Sequence, residues 1–188
     1  MLRATFVRTV GQPDRIYVTR SDGSEVSWSF PTYGEGLPHD LVHLVVESAF
    51  DVAGGFWGRV DGGADPQAIN AEANRRGGRD KYAAFGNDRG ELLQAEALAN
   101  APWTSSHLSE EELESHVRAA YVGLAPASPA ARDERVGQVR AVLALLLNQW
   151  RGLKPKGALP LRFDRERPAL GFKQMRIEAG RLTKEAAE

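Results

Sequence analysis

Two imidazoles and two carboxylates fall within one short run, Pro38-His39-Asp40-Leu41-Val42-His43-Leu44-Val45-Val46-Glu47. A helix advances about 100° per residue. With His39 at zero, His43 falls at about 40°, Glu47 at about 80° and Asp40 at about 100°. All four share roughly a quarter of the helix circumference. Leu41, Val42, Leu44, Val45, Val46 and Ala49 fill the rest, and the polar stripe holds no Lys or Arg. Imidazole nitrogen and carboxylate oxygen are the ligand set for zinc and other divalent metals. Histidines four residues apart can address one ion. The metal reading takes His39, His43 and Glu47 as ligands, with Asp40 as a catalytic base or an outer partner of the ligands. The spacing leaves the third ligand open among Glu47, Glu72, Glu91 and His116. The competing reading is a solvated stripe, with Asp40 placed favourably in the first turn of the helix.

The His39-Asp40-x-x-His43 spacing resembles the His-Glu-x-x-His signature of the zincins, with Asp40 where the family has its general-base Glu. That resemblance implies zinc and hydrolysis. The departure shortens the base by one methylene, so Asp40 reaches less far. The longer run Pro38-His39-Asp40-x-x-His43-x-x-x-Glu47 is similar to a helix in small bacterial proteins without an assigned activity, and implies no reaction.

Other chemistry-bearing residues are weaker signals. Gly54-Gly55-Phe56-Trp57-Gly58-Arg59 matches no phosphate-binding fingerprint and reads as a helix end and turn. Phe56 and Trp57 read as core. His107 and His116 stand alone, and no serine sits in a Gly-x-Ser-x-Gly elbow. Residues 151–188 hold ten Lys/Arg against five Asp/Glu, while the whole chain carries −1. Arg162, Arg165, Arg167, Lys173 and Arg176, with Phe163 and Phe172, are the candidate contact for nucleic acid or an acidic partner. Asp164 and Glu166 interrupt the cluster and favour a solvated face.

The elements that must position these groups read as α+β. Leu2–Thr9, Arg15–Arg20 and Val26–Phe30 form a three-stranded antiparallel meander, with Asp22-Gly23 at a tight turn. A bundle of about four to five helices packs on it. The helices cover Pro38–Phe50, a stretch from Asp65-Pro66 to Gly77-Gly78, Glu91–Ala101, Ser109–Leu124 and Ala130–Trp150. Ser109 and Glu112 make a capping box, with Leu108 and Leu113 at the staple positions. Leu113, Val117, Ala120, Tyr121 and Leu124 form that helix's apolar stripe, and Pro126 and Pro129 separate it from the next. Val136, Val139, Leu143, Leu146, Leu147 and Trp150, widened by Val142 and Leu145, make the last helix apolar nearly all round. It is therefore expected at the centre of the core. Leu159–Phe163 is a candidate strand returning to the sheet, Leu170–Ile177 is ambiguous, and Asp80–Gly90 is unassigned.

Length and composition fit one compact domain over residues 1–180 with a frayed tail at 181–188. The apolar share of 42% supports a core without staples. With no cysteine there is neither a disulfide nor a thiolate ligand. Met1–Val10 lacks the apolar stretch of a signal peptide, and no apolar run is long enough to cross a membrane, so a cytoplasmic location is expected. Three functions compete: a metal protein, extending to a small metal-dependent hydrolase; a binding module using the N-terminal sheet or the basic segment; and a helical accessory subunit whose long helix serves an oligomer interface.

Overall fold

The computed structural model describes residues 1–9, 11–30, 35–75, 82–122 and 133–185, with the side chains of 73–75, 88, 120–122, 133 and 179–185 left aside. Strands β1 (Leu2–Val7), β2 (Asp14–Thr19), β3 (Glu25–Phe30) and β4 (Ala158–Phe163) form one antiparallel sheet in the order β3-β2-β1-β4. The expected meander is present, and Leu159–Phe163 returns to its open edge beside β1. Pairing sets Phe6 against Ile16 and Leu159, Ala4 against Val18 and Leu161, and Ile16 against Trp28. Because side chains alternate along a strand, this register gathers those residues on one buried face.

The described residues hold seven α-helices: α1 (His39–Ala49), α2 (Phe56–Asp61), α3 (Pro66–Arg75), α4 (Arg89–Ala99), α5 (Glu110–Val122), α6 (Asp133–Gly152) and α7 (Pro168–Glu185). A 3-10 segment, Ala83–Asp88, precedes α4. Two helices go beyond the four to five expected. One is α2, where the glycines suggested only a turn. The other is α7, which takes up the ambiguous Leu170–Ile177. Asp164 accepts the amide hydrogens of Glu166 and Arg167 at 3.1 Å just ahead of α7, and Phe172 and Met175 turn its face inward. The expected caps are present elsewhere. Asp65 accepts the Gln67 amide at 2.9 Å, and Ser109 and Glu112 exchange hydrogen bonds at 2.8 to 3.2 Å. Leu113 and Val117 are buried as the stripe requires. The Ala120 and Tyr121 side chains lie outside the description, as do Gly77-Gly78, Leu124, Pro126, Pro129 and Ala130.

The centre of the core differs from expectation. On α6, Val136, Val139, Val142, Leu143, Leu146 and Trp150 are buried, but Ala144 is exposed and Leu145 and Leu147 are half-buried. Among the described helices the most enclosed is α1, with nine of its 11 residues buried. It packs against α4, α6, α7 and α2. Leu44 and Val45 have no exposed surface, as the wide apolar arc implies, but Asp40, His43 and Glu47 of the polar stripe are buried too. Among the described residues, no helix is long and apolar enough to cross a membrane.

Candidate metal centre

The polar residues of α1 meet different partners. Asp40 points back to the sheet. Its Oδ2 accepts the indole N–H of Trp28 at 2.8 Å, while its backbone carbonyl accepts that of Trp57 at 2.8 Å. Trp28 and Trp57 lie 5.8 Å apart between ring centroids, so the start of α1 is pinned to an aromatic cluster. Burial raises the Asp40 pKa, against the lowering effects of the Trp28 hydrogen bond and the two histidines. The candidate base is thus a carboxylate bound to an indole.

His43 and Glu47 form a pair. His43 Nδ1 lies 3.0 Å from Glu47 Oε1. The same carboxylate accepts the amide N–H of Phe56 at 3.0 Å and of Trp57 at 2.9 Å. Those amides belong to the first turn of α2, so the buried Glu47 carboxyl caps it from another helix. Burial is the largest influence on Glu47 and raises its pKa, while His43 and the two amides lower it.

The other nitrogen of the His43 ring faces a different group. Its Nε2 is 3.2 Å from His39 Nε2 and 3.3 Å from Glu96 Oε2, and His39 Nε2 is 3.8 Å from Glu96 Oε1. Burial pushes the His43 pKa down, but hydrogen bonds to Glu47 and Glu96 and their charge outweigh it, raising it to about 9. Glu96, on α4, also accepts the phenol O–H of Tyr82 at 3.1 Å. Tyr82 holds a left-handed backbone with φ of 63°, uncommon for a bulky residue, where the 3-10 segment begins. Burial first, then the adjacent Glu96, raises the Tyr82 pKa and keeps its phenol protonated as a donor.

His39, His43 and Glu96 each offer one ligand atom, and these atoms lie within 4.8 Å of one another. Ligands about 2.0–2.2 Å from one ion stand about 3.0–3.5 Å apart in octahedral or tetrahedral geometry. His43 Nε2 stands within that range of both His39 Nε2, at 3.2 Å, and Glu96 Oε2, at 3.3 Å, while His39 Nε2 stands 3.8 Å from the other Glu96 oxygen, Oε1. A carboxylate on the far nitrogen of a ligating histidine orients the ring and raises its basicity. Glu47 occupies that position, so the donor set fits a divalent ion. The cluster opens toward solvent on one side, with the His39 side chain 36% exposed against 5% for His43.

The structure therefore brings His39 and His43 together but gives the expected third ligand, Glu47, a different place. It sits at His43 Nδ1, with Glu96 at the shared point. Glu72 accepts the Ala84 amide, Glu91 the Gly54 amide, and His116 is exposed on α5. Glu96 and Tyr82 were missed. One signal was legible: Glu96 is four residues beyond buried Leu92 and three before buried Ala99, on the inward face of its helix. Phe163 and Phe172 are buried, so the basic C-terminal cluster has neither ring free to stack on a base. No family model matches the chain, and neither a curated protein nor a solved structure matches it.

Proposed function

We propose that this chain is a divalent-metal protein with His39, His43 and Glu96 as ligands and zinc as the metal, and that it is a metal-dependent hydrolase. The observation that carries the reading is convergence. Two imidazole nitrogens and a carboxylate from a second helix point at one place, and the buried ring among them has its other nitrogen on a buried carboxylate. Three protein ligands open to solvent are the arrangement of catalytic zinc sites, whereas structural sites are closed by four. An ion there would supply a Lewis acid. The chain's own residues do the positioning. Glu47 orients His43, Tyr82 orients Glu96, and Asp40 holds the start of α1 against Trp28.

The test is metal content and affinity for protein made without a histidine tag. Stoichiometric zinc, or a thermal shift on adding zinc to stripped protein, is expected. His39→Ala, His43→Ala and Glu96→Gln should each lower zinc affinity by roughly 10-fold or more, and Tyr82→Phe by less. His107→Ala serves as the control and should change nothing. Stripped, folded protein that neither binds zinc, manganese or ferrous iron nor gains stability from them would end this reading.

A further inference from the structure

The Gly54-Gly55 turn stands between the candidate metal centre and a second cavity. A Cβ on Gly55 would lie 2.6 Å from the Glu47 carboxyl carbon, and one on Gly54 would lie 3.0 Å from that of Glu91. On the Glu91 side is a polar cavity of about 440 Å³, lined by Gly54, Arg59, Asn87, Gly90, Glu91 and Arg165. That volume suits a small ligand.

Its walls bring together two guanidinium groups from different parts of the chain. Arg59, on α2, is held in place. Its Nε donates to the Gly54 carbonyl at 3.2 Å, and its guanidinium carbon lies 5.0 Å from the centre of the Phe85 ring. Arg165 follows β4 and is exposed, with Nη1 2.9 Å from where a Cβ on Gly62 would stand. That guanidinium therefore passes close over the backbone of Gly62. Gly90 is the second residue of α4, so the wall includes the positive end of an 11-residue helix. Among the described residues of the wall the opposing charge is Glu91, whose carboxylate accepts a hydrogen bond from the Gly54 amide at 2.5 Å.

We propose that this cavity is a binding site for the phosphate group of a small ligand, held between Arg59 and Arg165. Guanidinium groups on two walls and the start of a helix match the several oxygens of a phosphate. The site does not depend on a metal at His39, His43 and Glu96, and the test keeps the two apart.

Stripped protein in a chelating buffer of low ionic strength is titrated with inorganic phosphate, followed by calorimetry. Saturable binding at one site is expected, weakened roughly 10-fold or more by Arg165→Gln, which removes one guanidinium from an exposed position. Arg3→Gln, on the exposed face of β1, should leave it unchanged. A second arm uses glycerol phosphate. Binding at least as tight as that of inorganic phosphate supports a phosphorylated small molecule as the ligand. No saturation by about 10 mM phosphate, an equal loss in Arg3→Gln, or exclusion of the ester overturns the proposal.

Discussion

Two helices of this protein carry a histidine and a glutamate one turn apart, and the pairs meet opposite fates. On α1, His43 and Glu47 are 3.0 Å apart and nearly without solvent contact. On α5, Glu112 and His116 are both exposed, and Glu112 turns back to the amide and hydroxyl of Ser109. The residue types and spacing are alike. The surroundings differ: α1 is enclosed by α2, α4, α6 and α7, whereas the polar face of α5 meets solvent. A polar stripe shut inside must find a partner for every donor and acceptor, because a buried group left alone costs more than its hydrogen bond contributes. A helical pair of His and Glu becomes a candidate site only when other elements close over it.

The sharpest way to break that comparison is to remove one carboxylate from each helix. Glu47→Ala leaves the His43 Nδ1 and the amides of Phe56 and Trp57 without their acceptor in the interior. It should cost about 3–5 kcal/mol, read as a fall in urea midpoint. Glu112→Ala should produce a far smaller shift. Equal losses would mean that burial does not separate the two pairs. Gly55→Ala comes next. Its methyl would meet the Glu47 carboxylate, so about 1–3 kcal/mol should be lost and zinc affinity should fall with it. Unchanged stability and affinity would show that Glu47 can shift without consequence. His116→Ala should then stay within about 0.5 kcal/mol of the parent and keep its zinc affinity.

How much of this was legible follows the same division. The helix at Pro38, its apolar arc, the sheet alternation and the Ser109–Glu112 box all arise from residues close in sequence, and all are present. The third member of the candidate cluster was not legible, because Glu96 comes from another helix and reaches His43 only through the packing of α1 on α4. Helix α2 was hidden for a related reason. Its glycines read as breakers, yet its first turn is capped by a carboxylate from α1. The order of burial does not follow polarity. Leu145 and Leu147 on α6 are half-buried, while Asp40 and Glu47 on α1 are buried. Apolar content says what a helix tolerates next to it, and only the packing of its neighbours says what it receives.

A further effect lies on α5 and depends on pH. Hydrogen bonds from the Ser109 amide, then from its hydroxyl, hold the Glu112 pKa below its ordinary value of 4.5. A carboxyl whose folded value is depressed stabilises the fold above its unfolded value, and that contribution is lost as pH falls through the folded value. The capping contribution should therefore be complete at neutral pH and fade below about pH 4.5. The urea midpoints of the parent and Glu112→Ala should differ slightly at pH 7 and converge as the buffer is taken below the carboxylate range. Ser109→Ala removes the hydroxyl that caps the Glu112 amide and should cost about 1 kcal/mol at pH 7. A gap between parent and Glu112→Ala that stays constant down to pH 3 would show that the charge on Glu112 contributes nothing, and that this exposed pair differs from the buried one in kind as well as in size.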